Sequence, residues 1–169
     1  MLQSIKKTAN GLVALFKDGT SVQFGEKISA SCTADTTTVS GDTDLDVTGM
    51  VITLPTGKWL LGYNATLFVR RVATTTTPVG RVRITDSANT AIAETESYMQ
   101  TYQTVDATSF SCGVSRFTMV NISVPTTYKV RVACNAANTS ATATVVSSSI
   151  VSSLTNPDNA SVLFGIRFG

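Results

Sequence analysis

The stretch LPTGKWLLGYNATLFVRRV, Leu54 to Val72, limits the fold more than any other part of the chain. It opens on a turn signal, Pro55-Thr56-Gly57, and then runs on as a single long strand. Trp59, Leu61, Tyr63, Ala65, Leu67 and Val69 recur at every second position, the period of a strand with one buried side. Leu60, Gly62, Asn64, Thr66, Phe68 and Arg70 occupy the other side. That side is too apolar to face only water, so part of it is expected to meet another sheet or another subunit.

The rest of the chain reads as further strands, with no sustained helical periodicity and no internal repeat. Residues 1–27 form a small β-meander, because Asn10-Gly11 and Asp18-Gly19 are strong hairpin signals separating Leu2–Thr8, Leu12–Lys17 and Thr20–Phe24. Such a piece has little core and must lean on the main domain, on copies of itself or on another protein. Residues 28–45 are polar and irregular and read as a linker. From Asp46 onward, strands are expected at Met50–Leu54, along the central stretch, and at Gly80–Thr85, Thr90–Met99 and Phe110–Val124, the last with a bulge near Gly113. Tyr128–Cys134, Ala141–Val151 and Ala160–Phe168 complete the set. All four prolines fall between these strands, where a missing N–H costs no ladder bond. About eight strands with regularly spaced turns indicate a sandwich or barrel.

Composition supports a folded domain. Hydrophobic residues make up 43% of the 169 positions and charged residues 14%, against about 25% charged in ordinary soluble proteins. Thr and Ser fill about a quarter of the chain, and Thr fits the pleated surface of a sheet. A net charge of +2 is not the basic excess of a nucleic-acid binder, and no apolar run reaches membrane-span length, so neither partner is expected. The three cysteines, Cys32, Cys112 and Cys134, have no C-x-x-C spacing and no histidine to complete a zinc site. Free, mostly buried thiols are expected, as in a protein assembled in a reducing cytoplasm.

Nothing in the sequence builds a reaction. Without histidine, a serine or cysteine nucleophile lacks its usual base. Ser115 follows Gly113 at elbow spacing, but Phe117 stands where the second glycine belongs. Thr56-Gly57-Lys58 ends in Trp59 rather than the Ser/Thr of a phosphate loop. Asp42, Asp44 and Asp46 have the opening spacing of a calcium loop, but Val47 and Thr53 replace its glycine and glutamate, so a solvated acidic linker is expected instead. Glu94 and Glu96 are expected on one strand face, paired with Lys129 and Arg131 or with Arg81 and Arg83. The reading is a non-enzymatic protein with no cofactor and no metal.

The Pro/Gly corner feeding a long aromatic strand, the alternating TTYKVRVAC strand and the closing ASVLFGIRFG strand resemble the trimeric jelly-roll surface proteins of bacteriophage virions. These have a C1q/TNF-like shape and occur as head decoration (cement) proteins, head fibres and tail-fibre tips. The resemblance runs from Asp46 to Gly169. It implies an all-β protein, a jelly-roll β-sandwich of about eight strands over residues 46–169, preceded by the meander. It also implies a homotrimer on the virion surface, assembled in the host cytoplasm and decorating or cementing the capsid. The partners would be other copies of the chain and the major capsid protein or another virion protein. The alternative is a receptor- or glycan-binding tail-fibre tip, with Tyr98, Tyr102 and the loops from Thr74 or Asn135 facing a host-surface glycan. Lys6, Lys7, Leu12, Phe16, Lys17 and Phe24 are the expected capsid-docking residues. Leu60, Tyr63, Phe68, Phe164 and Phe168 are expected in an oligomer interface or the core. In the last strand, Val162, Phe164, Ile166 and Phe168 are expected to point inward, and Leu163, Gly165 and Arg167 outward.

Overall fold

The computed structural model describes residues 2–8, 11–19, 21–39, 41, 44–70, 77–100, 109–135, 141–147 and 161–168. Every regular element among them is a strand. The first three, β1 (Leu2–Thr8), β2 (Gly11–Phe16) and β3 (Ser21–Phe24), form a separate antiparallel sheet in the order β1-β2-β3. Gly11 and Gly19 take positive φ, as the two hairpins require.

The remaining strands make two facing sheets. They are β4 (Lys27–Ser31), β5 (Thr36–Val39), β6 (Leu45–Leu54), β7 (Gly57–Arg70), β8 (Val79–Asp86), β9 (Ser97–Gln100), β10 (Ser109–Ile122), β11 (Thr126–Asn135), β12 (Thr142–Val145) and β13 (Val162–Arg167). In sheet I, β7 pairs with β10 along its whole length. Its other edge is shared end to end by β13, opposite Trp59–Asn64, and β12, opposite Leu67–Arg70. β4 and β5 then pair with β13 and β12. Thus β12 and β13 fill one strand position, and β4 and β5 another. Sheet II has the order β6-β11-β8-β9. Counting positions along the chain, sheet I reads 1-8-3-6 and sheet II reads 2-7-4-5. That is the order of an eight-stranded jelly roll, two Greek keys folded together.

The doubled positions correct the sequence reading of residues 28–45. They are not a linker: β4 and β5 occupy the first strand position of the sandwich. Ile28 and Ala30 pack against the core while Ser29 and Ser31 face out. The break between β4 and β5 lies beside the break between β12 and β13, and side chains replace the missing ladder there. The buried Ser161 hydroxyl donates to the Val146 carbonyl at 2.8 Å and accepts the Thr66 N–H at 3.0 Å. Asp35 accepts both the N–H and the hydroxyl of Ser147 at 2.7 and 2.8 Å.

The core lies between the sheets. From sheet I come Trp59, Leu61, Tyr63, Ala65, Leu67 and Val69, the alternating face expected of the central stretch, with Leu163 and Ala143 beside them. From sheet II come Val47, Met50, Ile52, Leu54, Val82, Ile84, Tyr128, Val130, Val132 and Cys134. Tyr63 donates its hydroxyl to the Val82 carbonyl at 3.2 Å, and burial pushes its pKa up to about 12. Cys32 and Cys134 are buried free thiols, and Cys112 is half-buried and free.

Three further expectations are corrected. β10 runs unbroken through Gly113 opposite Thr66, so there is no bulge there. The true irregularity is at Gly49 in β6, where φ is +87° and the Ser31 carbonyl lies 2.6 Å from where a Cβ would stand. Thr90–Met99 is not one strand, because β9 starts only at Ser97 and Glu94 sits in a turn with φ +65°. The last strand has the opposite register to the one expected. Leu163 and Gly165 face inward, and Val162, Phe164 and Ile166 lie on the outer side. A larger residue has no room at Gly165, where an added Cβ would stand 2.7 Å from a Leu54 methyl.

This register yields a direct test. Gly165→Ala overpacks the core and is expected to cost about 1–3 kcal/mol. Gly113→Ala adds a methyl group into open space on the outer face and is expected to be neutral or to gain up to about 1 kcal/mol. Urea titrations of the two variants check this, and a larger loss at Gly113 would reverse the assigned faces.

Candidate docking and assembly surfaces

The sandwich turns two very different faces to solvent. Arginines and carboxylates tile the outer face of sheet II. Asp44, just before β6, is the hub: its Oδ1 accepts Arg81 Nη2 at 2.9 Å, its Oδ2 accepts Arg83 through Nε at 2.9 Å and through Nη2, and its carbonyl accepts Arg131 at 2.6 Å. Asp46 takes Lys129 and Arg131, each at 2.8 Å, and Glu96 lies 3.5 Å from both Arg81 and Arg83. The Asp44 side chain is only 6% exposed. Burial alone would raise its pKa, but the Arg81 and Arg83 hydrogen bonds outweigh that and hold it below its ordinary value. The expectation of a solvated acidic linker therefore fails at Asp44, and Asp42 lies outside the described residues. Of the expected partners for Glu96, Arg81 and Arg83 are found.

The outer face of sheet I is apolar at one end. Cross-strand register sets its side chains in rows: Met119, Leu60, Ile166 and Lys27, then Phe117, Gly62, Phe164 and Ser29, then Ser115, Asn64, Val162 and Ser31. A further row holds Ser111, Phe68, Thr144 and Thr37. Phe117 and Met119 are 66% and 56% exposed, and Leu60, Phe164 and Ile166 are half-buried against one another. Gly62 makes this packing possible, since a Cβ there would stand 2.9 Å from both the Phe117 and the Phe164 side chains. Phe168 continues past β13 and is half exposed.

The meander carries the third surface. Leu2, Ile5, Leu12 and Phe24 are exposed, Phe16 is half-buried and Ala14 is buried. Leu12 is opposite both Lys7 and Phe24, Ala14 is opposite Ile5, and Phe16 is opposite Leu2. One side of this sheet is therefore apolar and fringed by Lys7, while Lys6 and Lys17 are exposed nearby. Backbone bonds between Gly25 N and the Arg167 carbonyl, and between Arg167 N and the Glu26 carbonyl, root it at the end of β13. Arg167 braces this root. It pairs with Glu26 at 3.1 Å, donates to the Thr56 carbonyl at 2.7 Å and lies over the Trp59 ring, 5.6 Å from its centroid. Arg167 is thus a partly buried clamp and not the outward residue expected.

Of the residues expected in an interface or the core, Tyr63 is in the core, and Leu60, Phe68, Phe164 and Phe168 share the outer side of sheet I. The expected docking residues Lys6, Lys7, Leu12, Phe16, Lys17 and Phe24 all belong to the meander sheet and its turn. Sequence reading missed Phe117 and Met119. Both alternate with Val114, Thr118 and Val120, but either side of that strand is apolar, so the pattern does not mark which side is exposed. Tyr102 and Thr74 lie outside the described residues, and Tyr98 is exposed on β9 opposite Arg81. Among the described residues there is no pocket and no group of metal-ligating side chains.

No protein-family model matches the chain, and no curated protein matches it significantly. Among solved structures it is similar to the Gt strain of infectious bursal disease virus (9% identity, TM-score 0.40, 99% of this chain and 47% of that chain). It is also similar to the Gx strain (8%, TM-score 0.39, 93% and 43%) and to a VP2 subviral particle of that virus (8%, TM-score 0.39, 98% and 41%). The chain spans less than half the length of each of these chains.

The Asp44 hub makes acid stability predictable. A carboxylate with a lowered folded pKa stabilises in full above its unfolded value, 3.8, and loses that contribution as pH falls through the lower folded value. Urea midpoints measured from about pH 5 down to about pH 2 are expected to fall steadily, and Asp44→Asn to be less stable at pH 7 with a flatter acid limb. An unchanged limb in the variant would remove Asp44 from this role.

Proposed function

We propose that the chain is a non-enzymatic structural protein of a bacteriophage particle, decorating or cementing the capsid surface as a homotrimer. One observation carries this reading: a complete jelly roll bears a three-stranded sheet that has almost no core of its own. Only Ala14 is buried among the meander's described apolar side chains, while Leu2, Ile5, Leu12 and Phe24 stay open to water. A sheet of this kind gains its stability by lying on another surface. Its exposed Lys6, Lys7 and Lys17 favour a surface rimmed with carboxylates. Trimerisation would multiply weak docking contacts through effective concentration. Jelly rolls also serve as lectin domains, and an exposed Tyr98 beside Arg81 and Glu96 favours a second reading, a glycan-binding tail-fibre tip.

Labelled protein imaged on purified particles separates these readings. Label spread over the head supports decoration, label at the tail supports receptor binding, and particles without label remove both. Deletion of residues 1–24 is expected to abolish attachment and leave the sandwich folded, because the backbone bonds that root the meander, at Gly25 and Glu26, lie beyond the deleted residues. Attachment by the deleted chain would move docking to the sandwich.

A further inference from the structure

We infer that the outer face of sheet I packs against a second copy of this chain, with Phe117, Met119, Leu60, Phe164 and Ile166 as the apolar cluster of the contact. This rests on the proposed multimer and names the face that builds it. The face has the right size. It is four strand positions wide, two of fourteen residues and the split ones of ten and nine, a footprint of about 750 Å² at ordinary sheet spacings. A stable specific interface takes about 800 Å² from each partner.

Its chemistry suits permanent burial. Its described strand positions carry no carboxylate; Lys58 and Arg70 lie at the two ends of β7, and Lys27 stands on the edge strand of the Met119–Leu60–Ile166 row, where a long side chain reaches solvent around a contact. Between them stand Ser, Thr, Asn and Gly around the aromatic cluster, groups that lose water at far lower cost than ions. Sheet II answers its own charges with ion pairs, so that surface is suited to water. The outer face of sheet I is not, and a permanently apolar face needs an occupant present wherever the chain is made. A second copy meets that condition.

Gel filtration with light scattering on the full chain reads the result. A mass that is a multiple of 17.8 kDa is expected at micromolar concentration, and a mass of 17.8 kDa overturns the inference. Ser115→Arg places a charge on an exposed residue one row from the cluster, where folding does not depend on it, and is expected to give a folded monomer. Phe117→Asp is expected to do the same. Val51→Asp, on an exposed position of sheet II, is expected to leave the multimer intact. A multimer that survives both sheet I variants overturns the assignment of the face. Met119 provides a second readout. Its oxidation by peroxide is expected to be several-fold slower in the wild-type multimer than in the Ser115→Arg monomer, and equal rates overturn the inference. A wild-type monomer that still decorates particles would defeat this inference and the homotrimer, and leave the decorating role standing.

Discussion

The two-sided pairing of β7 is the constraint on which the rest of the structure depends. Fourteen residues pair with β10 on one edge and ten of them with β13 and β12 on the other, so every residue from Trp59 to Asn64 lies inside a ladder on both sides. This fixes the direction of each side chain on the strand. Trp59, Leu61, Tyr63, Leu67 and Val69 are committed to the core, and Leu60 and Phe68 to the opposite side. A slip of one residue would exchange the two sets and put Trp59 and Tyr63 in water. The partners inherit the same commitment: Phe117, Met119, Phe164 and Ile166 face outward because their register with β7 leaves no other direction.

The two outer faces then divide the labour of the molecule by charge. On sheet II, cations and carboxylates alternate across strands and neutralise one another at short range, with Asp44 gathered beneath three arginines. Such a network leaves little unsatisfied charge to recruit a partner. On sheet I the outer rows are hydroxyls and hydrocarbons. The Arg167 clamp lies where this apolar end meets the root of the meander, joining Trp59, Thr56 and Glu26. A load on the meander therefore passes into β7 and β13 through backbone bonds reinforced by a partly buried ion pair.

How much of this was legible depended on contrast between the two sides of each strand. β7 could be read because its inner face is uniformly large and apolar while its outer face is mixed. A sandwich or barrel followed from strand number and turn spacing, and the jelly roll from the resemblance to phage surface proteins. β13 could not be oriented, because VLFGIRF is apolar on both sides. The decision rests on space: opposite Leu54 and Trp59 only Gly165 fits, a fact of the partner strands and not of the strand itself. β4 and β5 escaped notice because KISAS and TTTV are short and hydroxyl-rich, with weak alternation. Asp44 read as solvated because its arginines lie 37, 39 and 87 residues away in the chain. The patch around Phe117 was hidden for a related reason, being assembled from β10, β7 and β13, none of which carries it alone.

The interrupted eighth strand position has a consequence for how such a chain can change over generations. The described end of β12 and the start of β13 are joined by the Ser161 hydroxyl on the Val146 carbonyl, with Asp35 fastening Ser147. Because both ends are pinned to the sheet, each half-strand holds its register against β7 by its own bonds. The entropic cost of a longer excursion grows only by about 0.6 kcal/mol for each doubling of its length. A change in the number of residues between Ser147 and Ser161 is therefore expected to leave the two half-strands in register against β7.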